Sequence, residues 1–182
     1  MGAQPVTVGC LPGRELSGGF GRIRENVEDV LSGLTPDQLA HQVAPGANPI
    51  SWLVWHLTRV QDDHVSKAFD AAQVWSASGW ASRFGLPAGM KDIGYGHTAA
   101  QVAEVGGATA SAELLAEYHE ATHAQTVKLV SEVTDADLPR IVDRRWTPPV
   151  TLAVRLVSVL DDDMQHAGQA AYVRGLLLRA GL

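Results

Sequence analysis

One cysteine, Cys10, is all the thiol chemistry that 182 residues offer. A lone thiol cannot close an internal disulfide, and such usage fits a reducing, cytoplasmic setting. Cys10 lies in a Gly/Pro-rich leader and reads as incidental rather than nucleophilic. Basic residues are also scarce: 14 Lys and Arg stand against 20 Asp and Glu, giving a formal net charge of −6. No Lys/Arg-rich stretch offsets that balance, which argues against nucleic acid as the main partner. No apolar run reaches the roughly 20 residues that span a bilayer. The N-terminus shows no charged region followed by an apolar segment, so no signal peptide is read there. There is no Gly-rich phosphate loop between a strand and a helix, no Gly-x-Ser-x-Gly elbow and no paired-cysteine zinc pattern. The two Glu-x-x-His motifs of a ferritin-like di-iron bundle are missing as well.

What remains is a chain of helical stripes. The length suits a single domain over 1–182, with the first dozen residues as an irregular leader. Apolar residues at spacings of three and four predict four main helices near 15–34, 48–69, 112–133 and 151–179. Thr35-Pro36-Asp37 combines a helix stop with a capping signal. Asn48 offers a cap for the second helix, with Pro49 at its first position, and Thr151 caps the fourth. The segment from about Asp70 to Ala110 reads as a long irregular insertion, its scattered aromatics suited to covering a core or rimming a cleft. Four one-sided helices without strand alternation predict an all-α four-helix bundle. Leu160, Leu176 and Leu178 lie outside the main stripe of the fourth helix, which predicts a homodimer.

The stripe Leu152, Leu156, Val159, Ala170, Val173, Leu177 is interrupted by Asp161-Asp162-Asp163-Met164-Gln165-His166. Continued through that gap, it lands on Asp162 or Asp163 and then on His166. A carboxylate and an imidazole one turn apart each lose hydration in a core unless something pairs with them. Groups at i and i+4 project together and can chelate a divalent metal; a buried Asp–His hydrogen bond is the other reading. The second helix supplies His56 and His64, and its periodicity makes His64 the more buried. Arg59, four residues before Asp63, can pair with it along the helix. His119 and His123 share the i, i+4 spacing but lie away from the apolar face, and read as a solvent-facing pair. His41 and His97 are loop residues. Arg155 and Arg174 can meet an anion or stay solvated above buried stems.

Trp52-Leu53-Val54-Trp55-His56-Leu57, taken with His166-Ala167-Gly168-Gln169, resembles the DinB-like superfamily of four-helix bundles. In that family a histidine preceding a leucine on the second helix joins two fourth-helix ligands four residues apart. The resemblance therefore implies His56, Asp162 and His166 as metal ligands. Asp162 replaces the histidine of many members and places the chain near the actinobacterial branch of mycothiol-dependent maleylpyruvate isomerase and thiol transferases. It also moves the ligand from His64 to His56, leaving His64, Asp63, Arg59, Trp52 and Gln169 as surrounding or pocket residues. The implied cofactor is a divalent metal, zinc first and nickel or another as the alternative. A low-molecular-weight thiol is the implied co-substrate. Trp52, Trp55 and Trp80 would shape the pocket, and Arg59 or Arg155 would meet anionic groups. The contrasting reading is a non-catalytic dimeric bundle that binds a small molecule or serves a stress response, with a vestigial triad.

Overall fold

In the computed structural model, which describes residues 12–182, the apolar stripes become four long helices: α1 (Pro12–Leu31), α3 (Ile50–Ala68), α7 (Ala112–Val130) and α8 (Leu152–Ala180). Shorter α2 (Pro36–Ala40), α4 (Val74–Ala77), α5 (Trp80–Arg83) and α6 (Ala99–Ala108) lie between them. A two-stranded antiparallel ribbon, β1 (Ile141–Asp143) and β2 (Val150–Thr151), precedes α8. α3 packs on α8 and α7, and α1 packs on the same two, so the four helices close a ring around one core. Cys10 and nearly all of the leader lie outside the described residues. Among the described residues no helix is long and apolar enough to cross a membrane.

Local chemistry sets the helix ends. Thr35 caps α2 through a reciprocal box with Gln38, and the Thr151 hydroxyl accepts from the Val154 amide at the start of α8. The start of α3 departs from expectation. Pro49 itself is the extended residue before the first turn, and no side chain caps the helix. Ile50 to Val54, the first residues of the helix, are all buried. α3 is enclosed on every side, so that all of it except His64 and Lys67 is buried. That enclosure overturns the wheel-based order of its histidines: His56 is buried and His64 is half-exposed. A helical wheel ranks burial only when a helix has a solvent face.

The 70–110 insertion is irregular over more than half its length, with short helices set into it. It holds α4, α5 and α6, the last opened by a Thr98–Gln101 capping box. Buried polar residues of α3 anchor it. The Asp62 carboxylate accepts from the backbone amides of Val74 (2.9 Å) and Trp75 (2.7 Å) and from the Tyr118 hydroxyl (3.0 Å). Arg59 donates to the carbonyls of Lys91 and Asp92 and pairs with Asp62 rather than with Asp63. The Trp75 indole donates to the Met90 carbonyl (2.6 Å). These bonds fix residues 90–92 beside Arg59 of α3.

Candidate metal centre

α3 and α8, the most extensively packed pair of helices, face each other with His56 on one side and Asp162 and His166 on the other. One ligand atom from each of the three lies within 4.8 Å of the other two. The His56 and His166 rings stand edge to face with centroids 4.8 Å apart, and Asp162 Oδ1 is 3.8 Å from His166 Nε2. Asp162 and Asp163 both fitted the interrupted stripe, and the fold separates them. Asp163 turns fully into the core, where burial pushes its carboxyl well above the usual carboxylate range and keeps it a neutral acid.

Both imidazoles are fixed through Nδ1. His56 donates Nδ1–H to the Ile93 carbonyl, and His166 donates Nδ1–H to Gln169 Oε1 at 2.9 Å. An oxygen that can only accept sets the tautomer, so each ring is left with its lone pair on Nε2. This second contact is the usual support of a metal-bound histidine. Burial pulls the His56 pKa below its ordinary value, which keeps the ring neutral. Asp162 Oδ2 is buried and has no hydrogen-bond partner. Two imidazoles oriented through Nδ1 and a carboxylate oxygen lacking a donor make a donor set that fits a divalent cation.

The loop above the triad is built to one shape. Trp52 stacks on His56 with centroids 4.6 Å apart and donates its indole N–H to His97 Nδ1. His97 Nε2–H in turn donates to Asp92, whose other oxygen accepts from the Gly94 amide. Gly94 has φ +92° and lies so close to α3 that an added Cβ would stand 2.8 Å from His56 Nδ1. His97, a weak signal as a loop histidine, thus belongs to the support of the site. Beside the triad opens a cleft of about 350 Å³, with His56 and Asp162 at one end and His64, Arg145 and Arg155 among its other walls.

The family model for mycothiol S-transferases matches residues 15–178. The chain belongs to that family. Its structure is similar to that of a conserved protein from Enterococcus faecalis, 32% identical, with a TM-score of 0.81 over 97% of this chain and 99% of the other. A DinB-like protein from Bacillus cereus shares the fold, with a TM-score of 0.56 at 20% identity over 93% of each chain. No functionally curated protein matches. The DinB-like resemblance read from helices α3 and α8 therefore holds for mycothiol S-transferases as the family of this chain.

Other sequence-selected residues fall elsewhere. Arg59 is wholly buried and divides its donors between the insertion, at Gln73, Lys91 and Asp92, and the side chains of Asp62 and Tyr118. Asp63 accepts from Lys67 (2.7 Å) and Gln73 (2.8 Å) and holds His64 at 3.1 Å, so it orients a cleft residue rather than a triad member. Trp55 is buried beneath the loop and packs on Trp75. Trp80 lines a different hollow of about 610 Å³, together with Arg24 and His119. Arg174 donates to the Val30 carbonyl, and His41 ends α2 at the surface. His119 and His123 are not a solvent-facing pair. His119 is buried against the Thr58 hydroxyl (3.0 Å), because the polar face of α7 meets a polar face of α3. Ile93, Asp143, Arg145 and Trp146 carry no signal of this kind in the sequence analysis. The Gly-Tyr-Gly-His run and the Arg-Arg-Trp run before Pro148 were their only traces in the sequence.

Proposed function

We propose that this protein is a metal-dependent S-transferase or isomerase that uses a low-molecular-weight thiol of the mycothiol type. His56, Asp162 and His166 would hold a divalent cation, zinc first, with nickel as the alternative. The observation that carries the reading is the preparation of the donor set: two Nε2 lone pairs fixed from behind and a buried carboxylate oxygen with no partner. Three protein ligands leave a position open for substrate, as catalytic zinc sites do. A cation held there supplies the charge that lowers a thiol pKa toward neutrality and steadies the thiolate. Ile93 and Gln169 hold the imidazoles in register, and Trp52 covers one face of His56 against water. Membership of the family supports the thiol, and a reducing cytoplasm is where such a thiol is kept available.

The test joins metal analysis of protein purified without chelator to mycothiol consumption with a panel of electrophiles. Wild-type protein should carry metal and consume thiol. His166→Ala should lose metal affinity by more than the roughly 10–100-fold typical of outer contacts, with the bundle still folded. A wild-type protein that neither binds zinc nor consumes mycothiol overturns the reading in favour of a non-catalytic bundle. A large drop in melting temperature on His166→Ala, in a protein that never held metal, would mark the Asp162–His166 contact as structural.

A further inference from the structure

Away from His56 and Asp162, the cleft is walled by cations and open aromatic rings. Asp143 at the end of β1 holds two guanidinium groups at once. Arg145 donates Nε to Oδ1 (3.0 Å) and Nη2 to Oδ2 (2.8 Å), and Arg155 donates Nη2 to the same Oδ2 (3.0 Å). Two cations therefore share one anion. Of the other carboxylates nearby, Asp63 also attracts Arg145 but is hydrogen-bonded to Lys67, His64 and Gln73, and Asp162 belongs to the triad. Arg155 is only 16% exposed in its side chain, so water screens it poorly. Tyr95 and Trp146, from two separate loops, line the same cleft while remaining 89% and 64% exposed. Large rings left open to water at a cleft are ready to cover a ligand face.

We propose that the cleft selects an electrophile bearing a carboxylate on a planar unsaturated or aromatic body, the carboxylate on Arg155 and Arg145 and the body between Trp146 and Tyr95. This rests on the thiol-transfer reading for its chemistry, and the charge count agrees. One carboxylate, Asp162, against a divalent cation leaves one positive charge for a thiolate. One carboxylate, Asp143, against two arginines leaves one for the acceptor. The volume is in the range of small-ligand sites, and Val60 and Ile93 add apolar wall to it.

The probes are 4-nitrobenzoate and its neutral isostere 4-nitrobenzamide, titrated by quenching of tryptophan fluorescence into zinc-loaded and chelator-treated protein. The benzoate should bind about tenfold tighter or more, the scale of one hydrogen-bonded charge pair. Arg155→Gln should remove that preference, and Arg145→Gln should reduce it. Arg145 is largely exposed in its side chain, so its substitution leaves the fold intact if Arg155→Gln does not. Trp146→Ala should weaken both probes alike. Equal binding of the two probes overturns the proposal. So does a preference that needs zinc and survives both arginine substitutions, since the carboxylate would then sit on the metal. If the protein takes up no zinc and consumes no thiol, the thiol-transfer reading fails, while an arginine-dependent preference in the chelator-treated protein still supports this one. Thiol turnover without any carboxylate preference refutes this one alone.

Discussion

Gly94→Ala should loosen the metal centre from a position that touches no ligand through a side chain of its own. At φ +92° an alanine costs about 1–2 kcal/mol in backbone strain alone. Its Cβ would also stand 2.8 Å from His56 Nδ1, 3.0 Å from Trp55 Cζ3 and 3.1 Å from Trp52 Cζ2. None of those atoms can yield easily, because both tryptophans are buried in α3 and His56 is stacked on Trp52. The loop must lift instead, and the Ile93 carbonyl lifts with it, freeing His56 Nδ1. Losing such an outer contact lowers metal affinity by about 10–100-fold, or about 1.4–2.8 kcal/mol. Gly96→Ala is the matched control: it has φ +76° and nothing within 4 Å of an added Cβ. Both variants should melt a few degrees below wild type. Only Gly94→Ala should weaken zinc in a competition titration and lose the Nδ1–H signature of His56 in a long-range 1H–15N spectrum. Zinc affinity within about twofold of wild type, with that signature intact, would refute the reasoning.

Three further outcomes follow from other parts of the molecule. Burial pulls the His119 pKa from 6.5 to about 3, so between those values the unfolded chain binds the extra proton. Stability from this group is therefore complete above about pH 6.5 and falls as pH drops toward 3, by about 2 kcal/mol between pH 7 and 5. His119→Leu should lose that share of the slope in chelator-treated denaturation curves; parallel slopes would count against it. Asp62→Ala strands the buried Arg59 charge and the Val74 and Trp75 amides, and should cost about 3–5 kcal/mol by urea denaturation. A loss under about 1 kcal/mol would deny Asp62 its anchoring role. α8 leaves Val154, Val157, Met164, Tyr172 and Leu178 exposed, and a homodimer through that helix is expected. Light scattering that shows a strict monomer at micromolar concentration would refute it.

The four long helices were legible in the sequence because α1, α7 and α8 each keep a wet side and a dry side, which is what periodicity measures. α3 was legible as a helix but not in its orientation. Arg59, Gln61 and Asp62 are as buried as its leucines, so the stripe carried no direction. His56 came from the family resemblance, and the wheel alone would have chosen His64. The i, i+4 spacing of Asp162 and His166 was readable, yet Asp163 satisfied the same stripe, since one residue turns a helix by only about 100°. The short helices within the insertion left little trace for another reason. α6 has only Val102 and Val105 as large buried residues, and the bonds that Arg59 of α3 and Trp75 of α4 make to residues 90–92 end on backbone carbonyls, which leave no mark in the residue letters. The same holds for the partner of His56.

The carbonyl at Ile93 separates two properties that most sites tie together. Any residue at position 93 presents the same backbone oxygen to His56, while its side chain forms part of the cleft wall. Position 94 has no such freedom, because every other residue adds a Cβ. Among relatives, exchange at 93 should go with a change in which electrophile is accepted, and glycine at 94 should persist through those exchanges. The chain can then drift toward a new substrate at one position while its neighbour keeps the metal support in place.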